Sequence, residues 1–261
     1  MSTRRIRGMS GPATACADTV VMFRRAVRHT LRSRDTLLIS LLLPVLIMLL
    51  FVYVFGGAIQ VEGPYIDYVI PGIILLCTGF GASITATAVA TDLRTGAVDR
   101  FRTLPIYRQA LLAGHVGEGV ARNMIAVALV LLVGVLLGFH PRASLLAWLG
   151  ALAIIALFVH AITWIAVALG LLAQNPEAAG GFTYAIMFIP YISSAFVPTA
   201  SMPTWLRGFA DHQPATPVID TLRDLFTGAD AGSGASAVLW SVGLAAVGYV
   251  CAAVLFARRA R

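Results

Sequence analysis

No lysine occurs in this sequence, and all nineteen basic side chains are arginines. That absence removes the phosphate-gripping lysine of a GxxxxGK[ST] loop, so ATP cannot be held in the P-loop manner, and it removes Schiff-base chemistry as well. Charge of either sign is scarce, at 12% of 261 residues, against about 25% in soluble domains. Hydrophobic residues make up 59% and mean hydropathy is +0.85, which identifies an integral membrane protein. The three cysteines, Cys16, Cys77 and Cys251, fit neither a disulfide framework nor a metal-ligand spacing, and two of them lie in apolar runs, so they read as small packing residues. No apolar stretch precedes Cys16, as a lipidated cysteine would need, and the first one after Arg4, Arg5 and Arg7 starts only at Leu37, too late for a signal peptide. The amino terminus is therefore expected to stay inside.

What the chain does contain is a series of apolar runs. Six are read as crossings of a hydrocarbon layer about 30 Å thick: 37–58, 68–91, 124–139, 144–172, 178–196 and 237–256. The second carries no charge over twenty-four positions, and its pairs Gly79 with Ser83 and Gly81 with Thr85, small residues four apart, let a neighbouring helix approach closely. The third is extended backwards by 109–123, where Glu118 and Arg122 stand one helical turn apart and can pair. Pro44 is expected to kink the first span and Pro190 to bend the fifth. QNPE at 174–177 reads as a tight turn with Pro176 at the first position of the next helix. The fold class is an all-α membrane protein, with a tail and amphipathic helix over 1–36 and a six-span domain over 37–261.

Ahead of the spans, a mobile tail of residues 1–17 leads to Asp18, the expected N-cap of a helix reaching about Arg34. Val20, Phe23, Val27 and Leu31 recur at helical spacing while Arg24, Arg25, Arg28 and Arg32 take the other side. This is the pattern of a basic helix lying on a membrane surface. The alternative, a solvated charged run, would not need the apolar stripe.

Between the second and third spans, DLRTGAVDRFRTLPIYR at 92–108 holds six charges in seventeen residues: Asp92, Arg94, Asp99, Arg100, Arg102 and Arg108. A polar, arginine-rich segment between two spans must sit in water on one face, where another protein can push on it. Six crossings and an inner amino terminus put sixteen arginines inside and three, Arg142, Arg207 and Arg223, outside. That asymmetry sets the central segment and both termini on the cytoplasmic side of a cell membrane. The positive balance, net +7, then serves lipid headgroups and orientation rather than nucleic acid.

The segment 199–230 is patterned too. Trp205, Leu206 and Phe209, then Val218, Ile219, Leu222, Leu225 and Phe226, recur at helical spacing and predict two short amphipathic helices broken at Pro214 and Pro217. They are expected to lie at, or dip into, the outer interface before the last span, with Asp220, Arg223 and Asp224 keeping one side wet.

Catalytic chemistry finds little support. His29, His115, His140, His160 and His212 are scattered, with no HExxH and no close cluster with cysteine or carboxylate. His160 lies mid-span and needs a hydrogen-bond partner, most simply on a neighbouring helix. Ser83 in GFGASIT has no histidine base at hand and reads as a packing residue. An ion-coupled carrier would place a carboxylate or arginine near the midplane, and the centres of the expected spans hold none. A machine without its own motor must take energy from elsewhere.

Two stretches give the chain a family likeness. In the central segment these are Asp92, Gly96, Asp99, Phe101, Arg102, Leu104 and Pro105, flanked by Arg94 and Arg100; in the outer segment, Pro203, Trp205, Leu206, Pro214, Asp220, Leu222, Arg223 and Gly228. In this order, with the six-span layout and the amphipathic helix, the chain resembles the permease subunit of type-2 ATP-binding-cassette exporters, in the daunorubicin-resistance-like branch. The likeness covers nearly the whole chain. Pro217 departs from the pattern, and aspartates stand where glutamate is common. The resemblance implies two ATP-binding subunits, with ATP and magnesium on them and no cofactor on this chain, and a second permease chain, identical or paralogous. It implies coupling through the amphipathic helix and the 92–108 segment, and a hydrophobic drug-like or lipid-like cargo. An intramembrane lipid-modifying enzyme and an ion-coupled carrier are the other classes; a P-loop ATPase in the neighbouring reading frame decides for the exporter. Charge reversal at Asp99 or Arg102 is expected to uncouple ATP hydrolysis from export while the protein still inserts, and full transport by either variant would refute the lever.

Overall fold

The computed structural model describes residues 12–59, 61, 63–97, 107, 109–229 and 232–259, and among them there are helices and turns but no strand. The long elements are α1 (Pro12–Arg32), α2 (Arg34–Leu50), α3 (Tyr65–Arg94), α4 (Ala110–Leu136) and α5 (Leu145–Leu172). They are followed by α6 (Pro176–Phe188), α7 (Thr204–His212), α8 (Ala215–Thr227) and α9 (Gly234–Arg258). Five stretches are long and apolar enough to cross a membrane: Arg34–Phe55, α3, α4, α5 and α9.

The fifth expected span is shorter than its apolar run. Its helix stops at Phe188, a 3₁₀ turn occupies Ile189–Ile192, and the chain then leaves helical geometry. Pro190 cannot donate to the helical ladder, and the Ser193 hydroxyl closes the turn by donating to the Pro190 carbonyl. Where the sequence led us to expect a bend, the structure has an end. Pro44 stays inside an unbroken α2, and the irregularity falls later, in the π-helical turn Phe51–Phe55.

α1 starts earlier than expected. It begins at Pro12, so Asp18 lies inside the helix rather than capping it, and residues 12–17 belong to the helix, not to a mobile tail; residues 1–11 lie outside those described. Proline at a first helical position followed by an alanine-rich turn accounts for the early start. Other boundaries match the sequence reading. Ser144 caps α5 by accepting from Ala147 N at 3.2 Å. Asn175 caps α6 by accepting from Ala178 N at 2.7 Å, with Pro176 in the first position.

α3 is the axis of the bundle. Nineteen of its thirty residues are buried, whereas in α9 only five of twenty-five are. A helix apolar on every side and covered on every side is the middle of its layer. The two small-residue pairs of α3 each serve one neighbour. Gly79 and Ser83 face Met187 and Gly180 of α6, and Gly81 and Thr85 face Asn123 and Gly119 of α4. At the edge, Gly248 of α9 lies against α5 so tightly that an added Cβ would meet Ile165 N at 2.8 Å and Trp164 Cβ at 2.9 Å. Gly248→Val is therefore expected to lower the stability of the detergent-solubilised protein by about 1–3 kcal/mol in thermal unfolding. Gly243→Val, which meets no atom within 4 Å, should leave it unchanged.

Candidate functional site

The two regions singled out by charge in the sequence, the α1 arginines and the start of the 92–108 segment, meet in the structure. Met22 and Ala26 are the buried apolar residues of α1. They dock on α4 where Gly114 allows the approach, an added Cβ there falling 2.7 Å from Met22 Cβ, and Phe23 covers Gly117. This brings Arg25 to the last turn of α3. Its Nη1 and Nη2 donate to the two Asp92 oxygens at 2.7 and 2.9 Å, a two-pronged bond. His115 Nε2 of α4 lies 3.0 Å from the same carboxylate. The hydrogen bond to Asp92 raises the Arg25 pKa above its ordinary value, against the smaller opposing effect of burial. A second tie joins α1 to the far side of the central segment: Tyr107 N donates to Asp18 Oδ2 at 2.9 Å.

The face of α1 that meets protein is therefore not the one its apolar periodicity indicates. Val20 and Leu31 are exposed, Phe23 and Val27 half-buried, and Arg25 turns inward while Arg24, Arg28 and Arg32 remain exposed. Two faces do two jobs. Met22, Ala26 and Phe23 seat on Gly114 and Gly117 of α4, while Val20 and Leu31 of the apolar stripe stay exposed.

Of the coupling residues drawn from the sequence, Asp92 is thus held inside a clamp, and Arg94 is exposed just beyond it. Gly96 takes a left-handed φ of +68° and ends α3, donating to Leu93 O, a conformation glycine adopts without penalty. Asp99, Arg100, Phe101, Arg102, Leu104 and Pro105 lie outside the described residues.

Deeper along α3 is a buried pair whose place the sequence did not reveal. Because α4 is one helix from Ala110 to Leu136, Glu118 and Arg122 stand within a membrane-crossing element rather than ahead of it. Each has 5% of its surface exposed. Arg122 Nε donates to Glu118 Oε1 at 3.0 Å, and its Nη2 reaches across to Gly81 O at 3.1 Å and Thr85 Oγ1 at 3.0 Å on α3. The expected start of the third span at 124, with Glu118 and Arg122 in an extension ahead of it, is corrected here. Spacing of i and i+4 announced the pair, but nothing local announced the partners on α3.

At the opposite end, twenty-four residues and about 36 Å of helix away, Tyr68 of α3 meets the outer segment. Pro203 precedes α7, on which Trp205 is 79% exposed and Leu206 half-buried. Pro214 precedes α8, whose Val218, Ile219, Leu222 and Phe226 are buried, and Gly228 closes it at φ +79°. The break lies at Gln213 and Pro214 alone. Pro217 sits within the first turn of α8, where its missing N–H costs no bond. Arg223 is more than a wet residue: Nη1 donates to Asp220 Oδ1 at 2.9 Å and Nη2 to Ser194 O at 2.8 Å and Tyr68 O at 3.3 Å. Its guanidinium lies 3.9 Å from the centre of the Tyr68 ring, and Ser194 Oγ donates to Asp220. This latch ties α8, the turn after the shortened fifth span, and the start of α3.

His160 finds its partner within its own helix, accepting from Trp164 Nε1 at 3.1 Å, and not from a neighbour as expected. Cys16 and Cys251 are exposed and Cys77 is buried. Among the described residues no group of three or more metal-ligating side chains comes together.

Residues 17–227, which span both the clamp and the latch, match the family model described as ABC-2 type transporter. The chain is 31% identical over 234 residues, 89% of its own length and 80% of the other's, to the daunorubicin resistance ABC transporter permease protein DrrB1 of Streptomyces coeruleorubidus. It is 27% identical over 252 residues, 93% of its length and 89% of the other's, to the probable doxorubicin resistance ABC transporter permease protein DrrC of Mycobacterium tuberculosis, in the strains CDC 1551 / Oshkosh and ATCC 25618 / H37Rv.

The buried pair yields a direct test. Glu118→Leu alone strands a guanidinium and is expected to cost about 3–5 kcal/mol, whereas Glu118→Leu with Arg122→Met should recover most of that loss. Thermal unfolding in detergent compares the two; equal losses would show that the pair is not the unit.

Proposed function

The chain belongs to the ABC-2 type transporter family, and from that premise we propose that it works in pairs, with two separate ATP-binding subunits docked on the end where α1 and the central segment meet. As a permease of this family it is a multi-pass membrane protein and the membrane part of the transporter, not the ATPase. In the proposed cycle ATP and magnesium act on the partner subunits. Their closure presses on α1 and the 92–108 segment, and the displacement passes into the bundle. The cargo is hydrophobic or amphipathic, as the names of the drug-resistance relatives favour, and leaves the inner leaflet or cytoplasm between the two permease chains along α2, α3 and the broken fifth crossing. That crossing is α6 with its 3₁₀ turn, which makes six and sets both termini, with sixteen of nineteen arginines, on the cytoplasmic side of the cell membrane.

One observation carries this reading: the bidentate bond between Arg25 and Asp92. It makes the surface helix and the central helix one mechanical part, so a push on the first must move the second. A ligand shifts such an equilibrium only through a differential contact with two states. The exposed Arg24 and Arg94 near the clamp supply charge for one.

Reconstitution with the ATPase subunit tests the link. Arg25→Asp or Asp92→Arg alone should lower ATP-driven transport about tenfold or more while the partner's basal ATPase activity persists, and the double exchange should recover at least half of the loss. Unimpaired transport in the single variants would discard the clamp as transmitter. Transport that stops on collapse of the proton gradient, with the ATPase intact, would favour an ion-coupled carrier.

A further inference from the structure

A cavity of about 270 Å³ opens where α1, α2 and α4 meet. Val27, Thr30 and Leu31 of α1, Leu37 and Leu41 of α2, and Ala121 and Ile125 of α4 wall it, Thr30 alone of these being polar. Glu118 and Arg122 also reach the wall. Their polar ends are spent on one another and on Gly81 and Thr85 of α3, so they offer the cavity mainly their methylene stems. Leu31 and Ile125 are 61% and 60% exposed, which makes the cavity continuous with the apolar surface of the bundle.

The corner beside this cavity is cationic. A single residue, Ser33, turns α1 into α2, and around that corner Arg28, Arg32 and Arg34 are exposed with no ion-pair partner among the described residues. The corner's other titratable groups, His29 and Asp35, are exposed as well, and the balance stays positive. A largely apolar hollow, with exposed guanidinium groups at the adjoining corner, matches the two ends of a lipid. Arginine forks match phosphate oxygens in geometry as well as charge. A peptide is a poor occupant, because its backbone groups would find no partners in such a wall.

We propose that the α1–α2 corner binds one anionic phospholipid, with an acyl chain in the cavity and its phosphate held by Arg28, Arg32 and Arg34. The site lies apart from the cargo path proposed above and does not depend on it. Because Val27 and Leu31 belong to the same helix as Arg25, the lipid holds α1 against α2 and α4 on the side opposite the Asp92 clamp.

Photolabelling of the full chain in phosphatidylcholine nanodiscs tests the site, using trace phosphatidylglycerol or phosphatidylcholine that carries a diazirine on the acyl chain. The phosphatidylglycerol probe should label peptides covering 27–41 and 118–125 several-fold more than the phosphatidylcholine probe. Ala121→Trp, which fills the hollow, should cut that labelling at least fivefold; Ile125→Trp, at the exposed edge, replaces it if Ala121→Trp lowers the melting temperature. Gln substituted together at Arg28, Arg32 and Arg34 should reduce labelling by phosphatidylglycerol to the phosphatidylcholine level. Equal labelling of the unaltered chain by the two probes, or undiminished labelling after the hollow is filled, would overturn the proposal and leave only bulk lipid at this face.

Discussion

The carboxylate of Asp92 stands in the last turn of α3, where the helix dipole disfavours negative charge. Arg25 and His115 answer that unfavourable position, one from α1 and one from α4, and in doing so they fix three elements at a single point. Besides the ion pair, α1 is held by Met22, Ala26 and Phe23 against Gly114 and Gly117 of α4 and by the Asp18–Tyr107 bond. The charge-assisted contact is the part of this attachment that joins α1 directly to α3.

The same device recurs along α3. Arg25 from α1 grips its end, Arg122 from α4 its interior and Arg223 from α8 its start. Each uses more than one N–H of a planar group, bonding to carboxylate, carbonyl or hydroxyl in directions that a lysine ammonium cannot reproduce. At these three places the absence of lysine acquires a structural meaning. Between the grips, α3 is packed by glycine and alanine contacts too close to slide freely, as where Gly72 faces Ala195 and Gly170 faces Ala86 and Val89. A helix held at both ends and closely packed between them is suited to the rod-like part that the proposed cycle gives α3.

The lipid corner and the clamp act on the two sides of α1. Met22, Ala26, Phe23 and Arg25 are turned to protein; Val20, Leu31, Arg24, Arg28 and Arg32 are exposed. The helical period alone does not tell which face is which. Apolar periodicity reports only that an apolar environment is needed. Docking in this bundle is governed by small residues that let backbones approach, because lipid is as apolar as leucine and offers no hydrophobic reward for covering Val20 or Leu31.

Properties carried by contiguous residues were legible in the sequence by itself. The membrane class followed from hydropathy, the start of α6 at Pro176 from the QNPE turn, the role of Gly79, Ser83, Gly81 and Thr85 from their spacing, and the family likeness, Gly228 included, from two ordered stretches. Each depends on neighbours within a turn or two, where local physical chemistry suffices. Only the tertiary structure decided that Arg25 turns inward to Asp92, sixty-seven positions away, that Arg122 reaches Gly81 and Thr85, that Arg223 stacks on Tyr68, and that the fifth apolar run ends at Phe188. In a chain with nineteen arginines and few carboxylates, the choice of partner is set by where the packed helices bring side chains together, and that is a property of the assembled bundle.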